Sequence, residues 1–283
     1  MKTADALNMP AVETHNLSLA YPLRGGHRRT VYSGLDLQAP RGGLTCLLGV
    51  NGAGKSTLLR TLCGFLPPAD GAVQLFGKAI GRYTQEELSR TAGVVLTEKI
   101  DAGGLTVYDL VSLGRHPHTG FFGRLGKADR RIIDAALHAV SIAHKSAARL
   151  SDLSDGERQR AVIAKALAQE CPLIVLDEPT AYLDVPARID TFALLRRLCD
   201  EAGKTILLST HDLDLALRSA THLWLLHPDG RRPASGDPSA LLRSGAFADF
   251  FRPDVQADLL ARYSIESVSP SDLATITATQ VSP

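Results

Sequence analysis

The loop Gly49–Ser56 constrains the fold of this 283-residue chain more than any other segment. Its sequence GVNGAGKS fits G-x-x-x-x-G-K-[ST] at every fixed position. The apolar run Leu44–Leu48 before it is typical of a buried strand, and Thr57–Leu62 after it is typical of a helix. This order of strand, loop and helix predicts a phosphate site, because backbone N–H groups and the helix N-terminus turn toward an anion.

Each polar side chain of this loop has an expected role in phosphate binding. The Lys55 ammonium is expected to reach the outer phosphates, and the Ser56 hydroxyl to bind Mg²⁺. The alternative is a glycine-rich turn that binds nothing. The residues expected to contact the nucleotide are Gly49, Asn51, Gly52, Ala53, Gly54, Lys55, Ser56 and Thr57.

A second apolar run, Leu173–Leu176, ends in two carboxylates, Asp177 and Glu178. It predicts a central parallel strand whose carboxyl end opens into a ligand crevice. Asp177 is expected to hold the Mg²⁺ shell, and Glu178 to polarise the water that attacks the γ-phosphate. Two readings stay open here: the acids face solvent, or Glu178 orients the water without taking its proton.

Between the two motifs lies the segment LSDGERQR, residues 153–160. Ser154 and Glu157 fit a capping box that opens a helix toward Gln169. The Ser154 hydroxyl and the Gly156 N–H are also placed to bind a phosphate. Both roles are compatible, since a capped helix start is an anion site.

In this order the motifs resemble those of ATP-binding subunits of ABC transporters. The resemblance also covers the segments Ala181–Asp184 and Ser209–Asp212, so that it extends from Gly49 to Asp212. It implies ATP with Mg²⁺ and a homodimer in which the phosphate loop of one copy faces the signature, Ser154–Glu157, of the other. The further roles it implies are adenine stacking for Tyr21, a link between the two ATP sites for Asp184, and a γ-phosphate contact for the switch histidine His211.

Two positions depart from the family pattern. Glu98 stands where the family usually has a glutamine, which both binds Mg²⁺ and donates to the water, whereas an ionised glutamate only accepts. We expect Glu98 to lie at the hinge between the core and an insert, and to contact both the metal and the nucleotide. Asp155 stands where glycine is usual, and we expect its carboxylate to point away from the phosphates.

The predicted fold is α/β: a phosphate-loop NTPase core with a mainly parallel central sheet, an antiparallel β edge and a helical subdomain insert. Val12–Leu37 predicts two strands around a turn, and strands are also expected at 173–176, 205–209 and 222–226. Helices are expected at 106–113 and 129–140. The expected division is an N-terminal tail 1–11, a nucleotide-binding core 12–97 and 154–230, a helical subdomain 98–153 and a C-terminal helical extension 231–283.

Within the insert, Leu113–His118 reads LGRHPH. This segment resembles the ATPases of importers for iron-siderophore complexes, haem and cobalamin. Its alternative explanation is a helix end stopped by Gly114 and Pro117. The resemblance implies two integral membrane permease subunits, an extracytoplasmic substrate-binding protein and a peripheral position on the cytoplasmic face of the inner membrane. Alternatives are another ABC transporter, a soluble ABC ATPase and a nucleotide-sensing module with feeble hydrolysis.

Composition excludes some of the other classes. The 31 basic and 30 acidic residues give a net charge of +1, so that no broad basic face for nucleic acid is expected. The four cysteines show no C-x-x-C spacing, which favours reduced thiols. No apolar run approaches the ~18 residues of a membrane span, and residues 1–10 lack a secretory apolar centre.

Overall fold

The computed structural model describes residues 9–22, 28–96, 104–120, 123–227 and 230–247, together with residues 250 and 262. For residues 21, 22, 28 and 29 only the backbone is described. The chain divides into two compact units, Met1–Ser235 and Gly236–Pro283.

Among the described residues, the strands form two sheets. In chain order they are β1 (Val12–Pro22), β2 (Arg28–Leu35), β3 (Gln38–Ala39), β4 (Leu44–Leu48), β5 (Asp70–Leu75), β6 (Lys78–Ala79), β7 (Ala92–Val95), β8 (Leu173–Leu176), β9 (Thr205–Thr210), β10 (His222–Leu225) and β11 (Ala234–Gly236). The first sheet is antiparallel, in the order β2-β1-β5-β6, with β3 paired to β1. The two strands expected within residues 12–37 are confirmed as β1 and β2, which pair antiparallel in this sheet.

The second sheet carries the ligand crevice. Its order is β11-β10-β4-β9-β8-β7, and the pairs from β10 to β7 are parallel. Every residue of β4, β8 and β9 is buried, as expected for parallel strands that are covered on both faces. The strands expected at 173–176, 205–209 and 222–226 are confirmed. Because β4, β9 and β8 are neighbours, the segments that follow them meet at one edge of the sheet.

The helices confirm the local signals in the sequence. They are α1 (Lys55–Leu62), α2 (Gln85–Thr91), α3 (Val107–Ser112), α4 (Lys127–Ala139), α5 (Asp155–Ala168), α6 (Val185–Ala202), α7 (Leu213–Ser219) and, in the second unit, α8 (Pro238–Arg243). Capping boxes at Thr84, Thr106 and Ser154 begin α2, α3 and α5. The expected helices at 106–113 and 129–140 are α3 and α4, and α5 is the helix expected to open at Ser154.

Buried apolar side chains from both sheets and α1 form a common core, which includes Leu19, Leu58 and Trp224. This core holds α1, and hence the phosphate loop, against the parallel sheet. The four cysteines are buried and free, and burial raises the pKa of the Cys63 thiol to about 12. Among the described residues, no helix combines the length and the apolar character that crossing a bilayer demands.

Candidate active site

The phosphate loop joins β4 to α1 and wraps around the ammonium of Lys55. Lys55 is 5% exposed, and its Nζ donates to the carbonyl oxygen of Gly49 at 2.8 Å. Gly52 and Gly54 have φ values of +83° and +84°, in the left-handed region that favours glycine. A Cβ on Gly54 would lie 2.7 Å from the Val31 Cγ1 atom, whereas one on Gly52 would meet open space. The loop therefore has the cradle shape expected for a phosphate chain.

Ser209, at the carboxyl end of β9, connects the two carboxylates that follow β8. Its hydroxyl donates to Asp177 Oδ1 at 2.6 Å and accepts the Glu178 backbone N–H at 2.8 Å. Asp177 is 5% exposed, so this hydrogen bond helps to fix a buried carboxylate. Ser209 was not predicted as a site residue, although its position near the end of an apolar strand was a signal in the sequence.

Glu178 lies between the phosphate loop and His211. Its Oε1 is 3.3 Å from Lys55 Nζ, and its Oε2 is 4.0 Å from His211 Nδ1. Its φ of +47° is unusual for a residue that has a side chain, and such a conformation costs on the order of 1–3 kcal/mol. Strain of this kind is concentrated at functional sites. Lys55, Asp177, Glu178 and His211, which follow three neighbouring strands, are thus brought together. The catalytic and metal-binding roles expected for them stay predictions.

The signature forms a second group of polar residues, at the start of α5. The Ser154 hydroxyl accepts from the Glu157 N–H at 3.2 Å, and a Glu157 carboxylate oxygen accepts the Ser154 N–H at 3.0 Å. This backbone hydrogen bond, with help from the Lys145 ammonium, lowers the pKa of Glu157. Asp155 is paired with Arg158 of the next turn, at 3.3 Å from Oδ1 to Nη1. The expected capping box is confirmed, and its anion-binding role stays a prediction.

Asp184 begins α6, which lies beside the signature helix. Its carboxylate accepts the Ala187 N–H at 2.9 Å, and a Cβ on Gly156 would lie 3.4 Å from the Ala187 Cβ. The apolar side chains of Tyr182 and Val185 are 61% and 64% exposed. Large exposed apolar groups close together often mark an interaction surface.

A cavity of about 80 Å³ lies between the two groups. Asp155 and Arg158 line it from the signature side, and Asp177 and Glu178 from the carboxylate side. The cavity therefore lies where the start of α5 faces the carboxylates that follow β8.

Two predicted site residues are not placed by the structure. Glu98 lies outside the described residues. Tyr21 belongs to β1, and its side chain is not described. The roles expected for both stay predictions.

The fold and these side chains define a phosphate-loop nucleotide-binding protein. Residues 32–181 match the family model described as ABC transporter. The chain is 40% identical over 218 residues to the ferric enterobactin transport ATP-binding protein FepC of Escherichia coli, which covers 77% of this chain and 80% of that one. It is 36% identical over 247 residues to the iron(3+)-hydroxamate import ATP-binding protein FhuC of Bacillus subtilis, covering 87% and 86%.

Among solved structures, a dimeric bacterial ABC transporter cassette superimposes with a TM-score of 0.65 at 25% identity, covering 79% of this chain and 97% of that one. The family model alone spans more than half of the chain. The chain therefore belongs to the ABC transporter family, as an ATP-binding subunit that hydrolyses ATP.

Proposed function

We propose that this ATPase drives the import of a metal chelate, either an iron-siderophore complex, haem or cobalamin. The convergence of Lys55, Glu178 and His211 beside the phosphate loop carries the ATPase part of the proposal. The chelate part is supported by the Leu113–His118 segment and by the two relatives, whose names refer to ferric enterobactin and iron(3+)-hydroxamate.

In the proposed site, the ATP phosphates lie on the loop, with Tyr21 on the adenine and Glu98 near the γ-phosphate. The proposed phosphate contacts are Gly49, Asn51, Gly52, Ala53, Gly54, Lys55, Ser56 and Thr57. Lys55 would neutralise charge on the outer phosphates. Its ammonium is already held at the loop carbonyls, so little ordering is needed on binding.

The donor set suits Mg²⁺, which prefers hard oxygen ligands. Asp177 offers a carboxylate oriented by Ser209, and Ser56 offers an exposed hydroxyl in the first turn of α1. These two residues, with Glu98 as a third candidate, would hold the ion. When bound, Mg²⁺ supplies neutralisation of the negative charge on the phosphates.

Glu178 is proposed to change partners during the cycle. In the structure its carboxylate lies 3.3 Å from the Lys55 ammonium, so it is paired with the cation that is proposed to bind a phosphate. An incoming phosphate chain would replace the carboxylate at Lys55 and leave Glu178 to accept a hydrogen bond from the attacking water. As the water oxygen bonds to the γ-phosphorus, the bond to the ADP oxygen breaks, and Glu178 or the phosphate takes the proton. His211 would contact the γ-phosphate.

A complete site is proposed to require two copies of the chain. The 283 residues contain one phosphate loop, so the signature residues Ser154, Gly156 and Glu157 of a second copy would cover the ATP. The exposed Tyr182 and Val185, next to Asp184, support an interface on this face. The dimeric state of the similar cassette agrees with such an arrangement.

The proposed complex also contains two integral membrane permease subunits and works with an extracytoplasmic substrate-binding protein. The ATPase would sit peripherally on the cytoplasmic face of the inner membrane. Residues 98–153 are proposed as the helical subdomain that transmits closure of the dimer to the permease, and 231–283 as a C-terminal extension.

Purification of the intact complex from membranes tests this proposal. We expect two permease chains to copurify and vesicles containing the complex to take up one ferric siderophore, haem or cobalamin only with Mg-ATP. The matched control is the same complex with Lys55→Met, which should assemble but not transport. ATP hydrolysis by a chain that copurifies with no membrane protein would instead support a soluble ATPase.

A further inference from the structure

The segment Leu113–His118, which forms a 3-10 helix, packs against the last turn of the signature helix α5. At Gly114 the approach is so close that a Cβ would lie 2.2 Å from the Lys165 carbonyl oxygen. Gly114 is therefore needed for close packing against α5, in addition to any role in ending the preceding helix. The LGRHPH sequence thus does more than end a helix, because its glycine also allows close packing against α5.

Arg115, the next residue, is a buried cation that joins two helices. It is 4% exposed, and its Nη1 donates to the Ala168 carbonyl oxygen and to Glu170 Oε2, each at 2.7 Å. Its Nε donates to Asp129 Oδ1, in the first turn of α4, at 2.9 Å. A guanidinium at a helix C-terminus also interacts favourably with the helix dipole. Arg115 thus fastens the end of α5 to α4.

Glu170 adds an independent sign that this contact matters. It comes one residue after Gln169, the C-cap of α5, and has a φ of +57°, at the position where helices usually place glycine. A glutamate there carries backbone strain that glycine would avoid. What the glutamate contributes in exchange is the carboxylate that pairs with Arg115.

Further contacts extend the attachment to α2. The His118 ring lies 2.9 Å from the Gln169 carbonyl oxygen, through Nε2, and the Gln169 side chain donates to the Ser89 carbonyl at 2.6 Å. Arg90 donates to the Pro117 carbonyl at 3.0 Å. The C-terminal end of α5 is therefore held from several sides by groups of precise geometry.

The opposite end of α5 carries the signature. A helix of 14 residues is about 20 Å long and nearly rigid, so the attachment at one end determines where Ser154 and Gly156 lie at the other. We infer that Arg115 is a positioning residue for the signature: it fixes α5 to the helical insert so that Ser154 and Gly156 meet the ATP of a second copy correctly. The inference rests on the proposed role of the signature in ATP binding.

The test compares Arg115→Gln and Arg115→Lys with the parent chain, using Arg196→Gln as the matched control. Arg196, on α6, pairs with the exposed Asp200 and also donates to the Ser219 carbonyl oxygen at 3.2 Å, so that, like Arg115, it combines an ion pair with a backbone contact. For Arg115→Gln we expect ATP affinity to be unchanged, because the phosphate loop of the same chain is intact. We expect kcat to fall about tenfold, because a small displacement of a catalytic group has a large effect. Arg115→Lys, which keeps the charge and one contact, should recover part of the loss.

Amide hydrogen exchange gives a second measurement that does not depend on ATP turnover. The proposal predicts faster exchange throughout Asp155–Ala168 in Arg115→Gln and no change in Arg196→Gln. Should Arg115→Gln fail to fold, Glu170→Gln is the second variant, because it removes the charge of one half-exposed partner of Arg115. It should also leave ATP affinity unchanged, with a smaller decrease in kcat and a smaller increase in the exchange rate of α5. Unchanged exchange in α5 would overturn the proposal, even in a chain that lacks ATPase activity. Equal loss of ATP affinity and kcat would overturn it too, since that result indicates general damage.

Discussion

Two glutamates of this chain, Glu178 and Glu170, adopt left-handed backbone conformations, and each faces a buried cation. Glu178 is 3.3 Å from Lys55, an ammonium that also donates to loop carbonyls. Glu170 is 2.7 Å from Arg115, whose planar guanidinium is also bonded to Asp129 and to a helix carbonyl. The first pair is the longer one, and it lies at the loop that is proposed to bind phosphate. The second is short and forms part of a fixed network.

The difference shows how the same two charges serve opposite purposes. A lysine is a point charge on a flexible stem, so that a phosphate can take the place of Glu178 with little rearrangement. An arginine fork ties several acceptors at once, and the loss of one leaves the others in place. We expect the Lys55 pair to open in each cycle and the Arg115 network to persist.

Glu178→Gln tests the exchangeable pair and should give the largest effect. Glutamine keeps the size of the side chain and removes its charge and basicity, so turnover should fall by about a hundredfold or more. ATP should bind at least as tightly, because Lys55 loses a competing anion. Phosphate release and equilibrium ATP binding measure the two effects, with the exposed Glu201→Gln as control. Near-normal turnover would remove the role given to Glu178.

Ser209→Ala tests how the exchangeable site is held. The change removes a hydrogen bond to the buried Asp177 and leaves the Glu178 N–H without its acceptor. Such losses cost about 1–3 kcal/mol, which corresponds to roughly tenfold or more if it falls on the transition state. Steady-state kinetics should show the decrease in kcat, while Ser33→Ala, at an exposed position of β2, should leave kcat unchanged. Equal kinetics in both variants would show that Ser209 is dispensable.

Gly114→Ala tests the fixed network through packing alone. The added methyl group meets the Lys165 carbonyl and should lower the free energy of unfolding by about 1–3 kcal/mol. Gly120→Ala is the matched control, because a Cβ there meets nothing within 4 Å. Denaturant titration compares the two. A Gly114→Ala chain as stable as Gly120→Ala would contradict the close packing described for this segment.

Ser154→Ala gives the smallest change in stability and separates capping from ligand binding. Removing the cap should cost about 1 kcal/mol, and Thr84→Ala at the capping box of α2 should cost a similar amount. Only Ser154→Ala should lower ATPase turnover, because only that hydroxyl is proposed to face a phosphate. A turnover that falls equally in both variants would leave Ser154 with its capping role alone.

The features predicted correctly from sequence are those that depend on neighbouring residues. The capping box of Ser154 and Glu157 is local, and the strand before Asp177 is visible in four consecutive apolar residues. Ser209 and Arg115 were missed because their partners come from distant parts of the chain, and Arg115 lies 55 residues from Glu170. A charged residue after a glycine reads as a solvated helix end, and only tertiary packing shows it to be buried.

The left-handed glutamates also matter to anyone who seeks to stabilise this protein by design. A procedure that ranks substitutions by backbone preference alone would favour glycine at positions 170 and 178. The resulting chain should lose the backbone strain at both positions. It would lose the acid next to the phosphate loop and one anchor of the signature helix, so the most obvious thermostabilising changes are the ones to leave out of a library.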